Sequence, residues 1–253
     1  MRSLDAGEVM HPGVGPLVEA ERLYVRQSRL EARLRAQERD ALVVFDVGLG
    51  AGSNALAART ASELLTEPAA RLELVSFERD LGALELALAN GEAFGWRGEA
   101  AAAARALLTD GTHTSTRSLW RLVRGDVLEA LAKEPARADI IYWDPFSPRA
   151  NPALWTIAAF ATARRVAAPR ATLYTYSAST ATRLAMLLGG WAVGVGDAIG
   201  DKAQTTAAAV DVRDLARPLD PTWLARVARP DAPLPSDAPV DILARARAAP
   251  QFV

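Results

Sequence analysis

Several residue types on which enzymes rely for chemistry are absent or scarce in this 253-residue chain. It contains no cysteine, which excludes disulfides, thiolate metal sites and cysteine nucleophiles. Only two histidines are present, His11 and His113, too few to favour a histidine zinc site or a Ser-His-Asp triad. We therefore expect no metal site.

Long apolar runs and an excess of one charge are also lacking. No stretch approaches the roughly 20 apolar residues that span a bilayer, and residues 1–5 lack the charged-then-apolar pattern of a secretory signal. We therefore expect a cytoplasmic protein that makes no membrane contact. The 29 Lys and Arg residues balance 30 Asp and Glu residues, so the bulk charge does not indicate a nucleic-acid-binding protein. No feature indicates an oligomeric state.

The chain does show a regular alternation of strand-like and helix-like segments. Short apolar runs, typical of buried strands, lie at residues 41–45, 72–77, 119–123, 140–143, 171–176, 191–195 and 205–210. Helical spacing of apolar residues predicts helices at residues 17–39, 55–65, 80–94, 127–133, 152–167 and 179–188. This pattern predicts an α/β fold with a mostly parallel seven-stranded sheet, helices on both faces and an antiparallel last strand.

We expect three parts in the chain. An N-terminal loop and helix occupy residues 1–40, the α/β domain occupies residues 41–212, and a tail rich in Pro, Ala and Arg occupies residues 213–253. Within the domain, residues 95–117 are longer than a short connection requires and are expected to form a helical insertion. The tail is expected to hold two short helices, at 221–228 and 240–248.

A glycine-rich loop follows the first predicted strand, where residues 45–54 read F-D-V-G-L-G-A-G-S-N. Glycines permit positive φ and a close approach of ligand to backbone, and the helix that follows begins with unpaired N–H groups. Glu78 ends the next strand, where a carboxylate can accept hydrogen bonds from ribose hydroxyls. We therefore expect a nucleotide-like ligand here; the alternative is a tight turn without a ligand. The spacing of Gly48, Gly50 and Gly52 differs from the dinucleotide fingerprint G-x-G-x-x-G, whose third glycine would fall at Ser53.

A second group of residues, Asp144-Pro145-Phe146-Ser147-Pro148, ends the predicted strand at 140–143. Catalytic groups collect at this end of a parallel sheet. A carboxylate that accepts an amine N–H can direct the lone pair of the nitrogen towards an electrophile, and Phe146 offers a flat apolar face. The alternative is a rigid turn with a capping aspartate. Asp126, which follows the third strand, is open to the same two readings, ligand contact or helix N-cap.

The loop pattern D-x-G-x-G-x-G resembles motif I of the Rossmann-like methyltransferases. The resemblance implies a Rossmann-like fold with S-adenosylmethionine as cofactor, held by Asp46, Gly48, Gly50, Gly52 and Asn54. It further implies that Glu78 holds the ribose and that Asp126 faces the adenine amino group. Asp144-Pro145-Phe146 resembles the Asp/Asn-Pro-Pro-Tyr loop of amino-group methyltransferases, which implies a nitrogen nucleophile, Asp144 as the catalytic residue, and substrate contacts from Pro145 and Phe146.

Residues 144–156, D-P-F-S-P-R-A-N-P-A-L-W-T, resemble the D-G/P-F-x-P-x-x-N-P-x-x-W-T block of the MnmC-like methyltransferases. Similar likenesses occur at 19–25 (E-A-E-R-L-Y-V), 76–78 (S-F-E) and 200–206 (G-D-K-A-Q-T-T). The resemblance implies methylation of an amino group on a modified wobble uridine of tRNA by a stand-alone form without the flavin-dependent oxidase domain. It places Lys202 against the substrate, although the neighbouring basic residues of the family are Ala203 and Gln204 here.

A tRNA partner would require a local positive surface, because phosphate contacts supply most non-specific affinity for nucleic acid. The candidates for such a surface are Arg149, Arg183, Lys202 and the arginines of the N-terminal helix. Two alternatives to tRNA methylation remain open at this stage. One is a methyltransferase for a small amine or another acceptor, and the other is a Rossmann-like module that binds without catalysis.

Overall fold

The computed structural model describes residues 15–36, 38, 40–200 and 203–253. It contains one sheet of eight strands, in the spatial order β3-β4-β2-β1-β5-β6-β8-β7. The strands are β1 (Ala41–Val47), β2 (Arg71–Glu78), β3 (Thr112–Thr114), β4 (Ser118–Arg124), β5 (Ala138–Trp143), β6 (Ala167–Thr175), β7 (Ala192–Gly196) and β8 (Thr205–Ala209). The five strands from β4 to β6 in this order pair in parallel, whereas β8 runs antiparallel to both β6 and β7.

The prediction of a mostly parallel sheet with an antiparallel last strand is confirmed, but the sheet has eight strands instead of seven. The additional strand, β3, pairs antiparallel with β4 at the edge of the sheet. It lies in the segment at 95–117 that was expected to form only a helical insertion. Its three residues, Thr-His-Thr, are too few and too polar to give the apolar run by which buried strands are recognised.

Twelve helical segments of the described residues connect or flank these strands. They are α1 (Pro16–Ala20), a π-helical turn (Glu21–Arg26), α2 (Leu30–Ala36), α3 (Ser53–Glu63), α4 (Gly82–Ala89), α5 (Gly91–Phe94), α6 (Gly98–Asp110), α7 (Val127–Lys133), α8 (Ile157–Arg165), α9 (Thr180–Leu188), α10 (Leu224–Val227) and α11 (Ile242–Arg247). Short 3₁₀ turns lie at Pro152–Trp155, Val212–Asp214, Pro221–Trp223 and Pro250–Phe252. None of the helices in the described ranges is both long and apolar enough to cross a membrane.

The predicted N-terminal helix at 17–39 is interrupted. Its first part widens into the π-helical turn, and Arg29 then adopts a φ of 56°, which breaks the helix before α2. The widened turn buries three consecutive side chains, Leu23, Tyr24 and Val25. A regular amphipathic helix would bury only one face, so the turn directs an additional aromatic side chain into the protein. Residues 1–14 of the expected N-terminal loop lie outside the described residues.

Alternate residues of the central strands point to opposite faces of the sheet and fill two cores. Phe45 and Val47 of β1 pack on one face with α7, α8, α9 and the C-terminal tail. Val44 of β1 packs on the other face with α3, α6 and the N-terminal helices. This three-layer arrangement places the carboxyl ends of β1, β2, β4, β5 and β6 along one edge of the molecule.

The tail packs against the domain. Trp223, Leu224 and Ile242 are buried in the same core as α8 and α9. The Gln251 side chain accepts a hydrogen bond from Val193 N at 2.6 Å and donates to Val193 O at 2.7 Å, which satisfies part of the exposed edge of β7. The two short helices expected at 221–228 and 240–248 are present as α10 and α11, each somewhat shorter.

Candidate functional site

The glycine loop joins the end of β1 to the start of α3 at the carboxyl edge of the sheet. Gly48, Gly50 and Gly52 all have positive φ, 89°, 53° and 80°. A side chain at Gly48 would place its Cβ 2.8 Å from Asp144 O, and one at Gly52 would place its Cβ 2.6 Å from the Trp96 ring. Two of the three glycines are therefore required both by backbone conformation and by close packing against neighbouring segments.

Glu78 is the last residue of β2, beside the loop. Its Oε2 accepts a hydrogen bond from Gly50 N at 3.0 Å, and its Oε1 accepts from Arg79 N at 2.7 Å and Asp80 N at 3.1 Å. The side chain is half-buried, so one edge of the carboxylate remains accessible to solvent. The structure thus places Glu78 against the glycine loop, as the sequence predicts, and shows that it also orders the loop. Its contact with a ribose stays a prediction.

Asp46 lies beneath the loop and is fully buried. Its Oδ2 accepts a hydrogen bond from Ser76 Oγ at 2.8 Å, and Ser76 Oγ in turn accepts from Trp120 Nε1 at 3.0 Å. Burial is the largest cause that raises the pKa of Asp46 to about 7, and the negative charges of Asp144 and Glu78 raise it further. Asp46 has no exposed atom with which to touch a ligand in this structure, so its predicted role in cofactor binding would act through the loop.

Asp126 caps the N-terminus of α7, so the structure shows the helix-cap reading of this residue. Its Oδ1 accepts hydrogen bonds from Leu128 N at 2.9 Å and Glu129 N at 3.2 Å. The residue is exposed at the carboxyl edge, one position beyond the turn at Gly125. A second contact with an adenine amino group is compatible with this exposure and stays a prediction.

The Asp144-Pro145-Phe146 segment follows β5 and is held from several sides. Asp144 N donates to Val47 O at 2.9 Å, which ties the segment to the end of β1. Tyr176 Oη donates to Pro145 O at 3.1 Å, and Trp155 Nε1 donates to Phe146 O at 2.8 Å. These bonds fix the backbone of the turn and leave Phe146 partly exposed.

Trp155 belongs to the Asn-Pro-x-x-Trp-Thr block, and the structure shows that it braces this turn. Its ring is 4% exposed and packs edge-on against Tyr176, with ring centroids 5.7 Å apart. Trp143 is completely buried. Both tryptophans therefore serve packing, as their apolar surroundings in the sequence indicate, and neither offers a face on which a nucleic-acid base can stack.

Two further residues lie close to the Asp144 carboxylate, an arrangement that the sequence did not indicate. Asn54, predicted to contact the cofactor, donates from Nδ2 to Asp144 Oδ2 at 2.8 Å. Tyr24, from the π-helical turn, is fully buried, and its pKa is raised well above the usual value by burial first and by the nearby Asp144 carboxylate second. The position of Tyr24 in the E-A-E-R-L-Y-V segment was the only signal, because a tyrosine on an amphipathic helix is ordinarily a packing residue.

A shallow open depression of about 470 Å³ lies beside the Asp144 turn, at the end of β6. It is lined by Tyr176, Ser177, Ala178, Ser179, Ala203 and Gln204. Tyr176 connects this depression to the turn through its bond to Pro145 O. The depression therefore borders the turn that carries Asp144, although Asp144 itself is not among its lining residues.

The charge of this edge is negative close to the loop. Glu78 and Asp144 lie near enough to Asp46 for their negative charges to raise its pKa. Such a field opposes a pyrophosphate and favours a ligand with positive charge. No group of three metal-binding side chains is present among the described residues.

The basic residues that were expected to contact nucleic acid differ in their exposure to solvent. Arg183 is buried and donates to Thr206 Oγ1 and Gln204 Oε1, so the expectation that it forms part of an exposed positive surface is wrong. The cause is the amphipathic helix α9, which turns this residue towards β8. Arg149 is exposed, and Lys202 lies outside the described residues.

Comparison with known proteins gives a consistent result. A family model described as S-adenosyl-L-methionine-dependent methyltransferase matches residues 100–211, which include Asp126 and the Asp144 turn. The tRNA 5-methylaminomethyl-2-thiouridine biosynthesis bifunctional protein MnmC of Paraburkholderia xenovorans is 30% identical over 240 residues, covering 91% of this chain and 35% of that protein. The protein of the same name from Azoarcus sp. is 33% identical and covers 78% of this chain and 32% of its own length. By family the chain is an S-adenosylmethionine-dependent methyltransferase related to MnmC.

A solved structure supports the fold of this methyltransferase. MNMC2 of Aquifex aeolicus superposes with a TM-score of 0.70 at 24% identity, covering 95% of this chain and 77% of that one. The Rossmann-like α/β fold expected from the sequence is therefore confirmed. The chain spans about a third of the length of the curated relatives it matches.

Proposed function

We propose that this methyltransferase transfers the methyl group of S-adenosylmethionine to an amino group of a modified uridine at the wobble position of tRNA. The observation that carries the proposal is the Asp144 carboxylate, fixed by Asn54 at 2.8 Å beside the glycine loop and next to an open depression. The names of the MnmC relatives support the choice of substrate, since they describe the biosynthesis of a methylaminomethyl nucleoside in tRNA.

The residues along the edge suit this cofactor. S-adenosylmethionine supplies an electrophilic methyl group on a sulfonium, and its ammonium adds a second positive charge. The acidic field of Glu78 and Asp144 favours both charges. We assign the amino-acid end to the loop from Gly48 through Gly50 and Gly52 to Asn54, the ribose to Glu78 and the adenine to Asp126.

Asp144 would orient the acceptor. A carboxylate that accepts a hydrogen bond from a neutral amine directs the nitrogen lone pair away from itself, towards the cofactor. The same carboxylate can receive the proton that the methylated amine must release. Pro145 and Phe146 would contact the base, and the depression beside Tyr176 would hold the neighbouring part of the nucleotide.

Three exposed arginines lie where RNA phosphates would pass. Arg79 follows β2, Arg124 ends β4 and Arg149 follows β5, so all three lie at the carboxyl edge of the sheet. Many other surface arginines are neutralised by a carboxylate, as Arg26 is by Glu21 at 2.6 Å. For the three edge arginines, the described part of the chain supplies no side-chain partner of this kind. Together with Lys202 they would form the positive surface that tRNA requires.

The salt dependence of tRNA binding tests this surface. Each phosphate contact to a single-stranded region contributes about −0.7 to the slope of log K against log salt. Replacing Arg79, Arg124 and Arg149 together by Glu should therefore weaken binding of bulk tRNA and reduce the slope by about 2. The measurement is filter binding over a range of KCl concentrations.

The matched control replaces three other exposed arginines by Glu, at Arg105, Arg229 and Arg247, and makes the same change in net charge. It should leave most of the slope in place. If both triple variants lower affinity and slope equally, the binding is a bulk charge effect and the edge surface is refuted. If the wild-type protein shows no salt-dependent binding at all, a small amine becomes the better acceptor, because the acidic field would attract it.

A second experiment tests Asp144. In the variant Asp144→Ala, methyl transfer from labelled S-adenosylmethionine to bulk tRNA should fall by about 100-fold or more, while calorimetric cofactor affinity changes little. Asp144→Asn retains the shape and one acceptor oxygen, so it should lose less. Wild-type turnover in Asp144→Ala would show that the residue only shapes the turn.

A further inference from the structure

Asp144 receives a hydrogen bond from an element that belongs to the cofactor side of the site. Asn54 lies in the first turn of α3 and is 4% exposed. Its Nδ2 donates to Asp144 Oδ2 at 2.8 Å. An aspartate carboxylate rotates freely about its last torsion unless such a bond holds it, so this contact sets the plane of the carboxylate.

Tyr24 approaches the same carboxylate from the N-terminal helices. Its ring packs against Tyr142 with centroids 5.0 Å apart, which anchors the phenol in the core. The Tyr24 hydroxyl is buried and has no partner at full hydrogen-bond geometry among the described residues. Such an unsatisfied hydroxyl is costly, and the charge of Asp144 is close enough to raise the pKa of Tyr24. A small movement of the phenol towards Asp144 would give the Tyr24 hydroxyl an acceptor.

We propose that Asn54 and Tyr24 are positioning residues that clamp the Asp144 carboxylate between the glycine-loop helix and the N-terminal helices. This inference rests on the proposed role of Asp144 in orienting an acceptor amine. It differs from the sequence prediction for Asn54, which concerned the cofactor alone. It also gives Tyr24 a role in the reaction that its burial alone does not require.

The chemistry of the clamp suits the reaction. An amide and a phenol donate hydrogen bonds without positive charge, so they stabilise an ionised Asp144 and leave the negative field intact for a cationic cofactor. Lysine or arginine in these positions would hold the carboxylate equally well but would oppose the sulfonium. The other titratable groups that face this cluster are Asp46, Glu19 and Tyr176.

The clamp predicts a change in the titration of Asp144 itself. In protein labelled with ¹³C at the aspartate carboxyls, the Asp144 signal is identified by its loss in Asp144→Asn. Each donor favours the ionised carboxylate. The pH at the midpoint of the Asp144 titration should therefore rise in both Asn54→Ala and Tyr24→Phe. In Tyr24→Phe the turnover of bulk tRNA should fall by about 10-fold or more, with cofactor affinity within about 3-fold of wild type. In Asn54→Ala, which also loses an assigned cofactor contact, the comparable fall in turnover is measured at saturating cofactor.

The variant Tyr142→Phe is the matched control for Tyr24→Phe. Both tyrosines are buried in one aromatic pair, but the Tyr142 hydroxyl lies 3.4 Å from Ser28 Oγ, and Asp144 is not among the main charges that act on it. Tyr142→Phe should leave the midpoint of the Asp144 titration unchanged. If Asn54→Ala unfolds, Tyr24→Phe, which removes one oxygen atom, still decides the question.

The outcomes separate this inference from the proposed function. An unchanged Asp144 midpoint in Tyr24→Phe and Asn54→Ala overturns the clamp, whatever the activity. A shifted midpoint with unchanged turnover also overturns it, since the contact would then have no role in positioning. If the midpoint shifts as expected but the wild-type protein methylates no tRNA, the clamp stands as a structural device and the proposed substrate fails.

Discussion

The contact between the glycine loop and the Asp144 turn makes Gly48 the most informative position at which to perturb this protein. A Cβ at Gly48 would lie 2.8 Å from Asp144 O and 2.9 Å from Pro145 Cα. Both neighbours are backbone atoms, which cannot move aside as the end of a flexible side chain can. Gly48 also has a φ of 89°, which other residues adopt only under strain.

The expected cost of Gly48→Ala follows from these two terms. The left-handed conformation costs about 1–2 kcal/mol, and overpacking against a rigid neighbour costs about 1–3 kcal/mol. A total of about 3 kcal/mol corresponds to a fall in Tm of about 10 °C for a chain of this size. The Asp144 turn would also be displaced, and because a shift of about 1 Å can cost 100-fold in rate, methyl transfer should fall by about 10- to 100-fold.

Gly111→Ala separates the two terms. Gly111 ends α6 with a φ of 72°, and a Cβ there would meet no atom within 4 Å. The free energy of unfolding of Gly111→Ala should fall by only about 1–2 kcal/mol, which is the cost of the left-handed conformation. This variant should retain methyl-transfer turnover. Thermal unfolding and labelled-methyl transfer measured on both variants provide the comparison. The claim that the glycine loop and the Asp144 turn are in rigid contact is refuted by one result. In that result Gly48→Ala lowers Tm no more than Gly111→Ala does, and Gly48→Ala retains normal turnover.

Three further predictions concern neighbouring residues. Glu78→Lys should abolish calorimetric binding of S-adenosylmethionine, because it removes the acceptor of Gly50 N and reverses a charge. Binding equal to that of the wild type would refute the assignment of the ribose to Glu78. Because its pKa is raised to about 7, Asp46 is protonated in the folded state but ionised in the unfolded state between about pH 4 and 7. In this window the free energy of unfolding therefore falls as pH rises, by up to ~1.4 kcal/mol per pH unit. Asp46→Asn should flatten that slope in urea unfolding. Asp237→Ala should cost about 1 kcal/mol, since Asp237 caps α8 at Ile157 N and Ala158 N, whereas Asp231→Ala should cost nothing measurable.

The main lines of the fold could be predicted because the central strands are buried on both faces. The run at 41–45 is apolar throughout and became β1, extended by two residues at its end. The helix at 127–133 was predicted with the bounds it has, because Asp126 gives it a clear N-cap. The strand that was missed, β3, is short and polar. The helix predicted at 80–94 is divided at Asn90 into α4 and α5.

The sequence predicts which residues meet at this edge of the sheet, but not the contacts between them. Motif spacing identified the glycine loop, Glu78 and Asp144, since each follows a predicted strand at the same edge. It could not show that Asn54 bonds to Asp144, which lies 90 positions away in the chain. Nor could it show that the π-helical turn brings Tyr24 close to the same carboxylate. Nor could it show that Arg183 points inward, because the helical period alone does not decide which residues at the border of a face are buried.

The geometry of the edge explains why the glycine loop and the Asp144 turn should act as one unit. Three contacts join them: Asp144 N to Val47 O, Asn54 Nδ2 to Asp144 Oδ2, and the direct packing of Gly48 against Asp144. In-line methyl transfer depends on the distance between two bound reactants, and that distance is only as constant as the segments that hold them. A protein that fixes these segments to each other needs no lid to align them. We therefore expect that substitutions which loosen any one of the three contacts will lower turnover before they lower the affinity for either ligand.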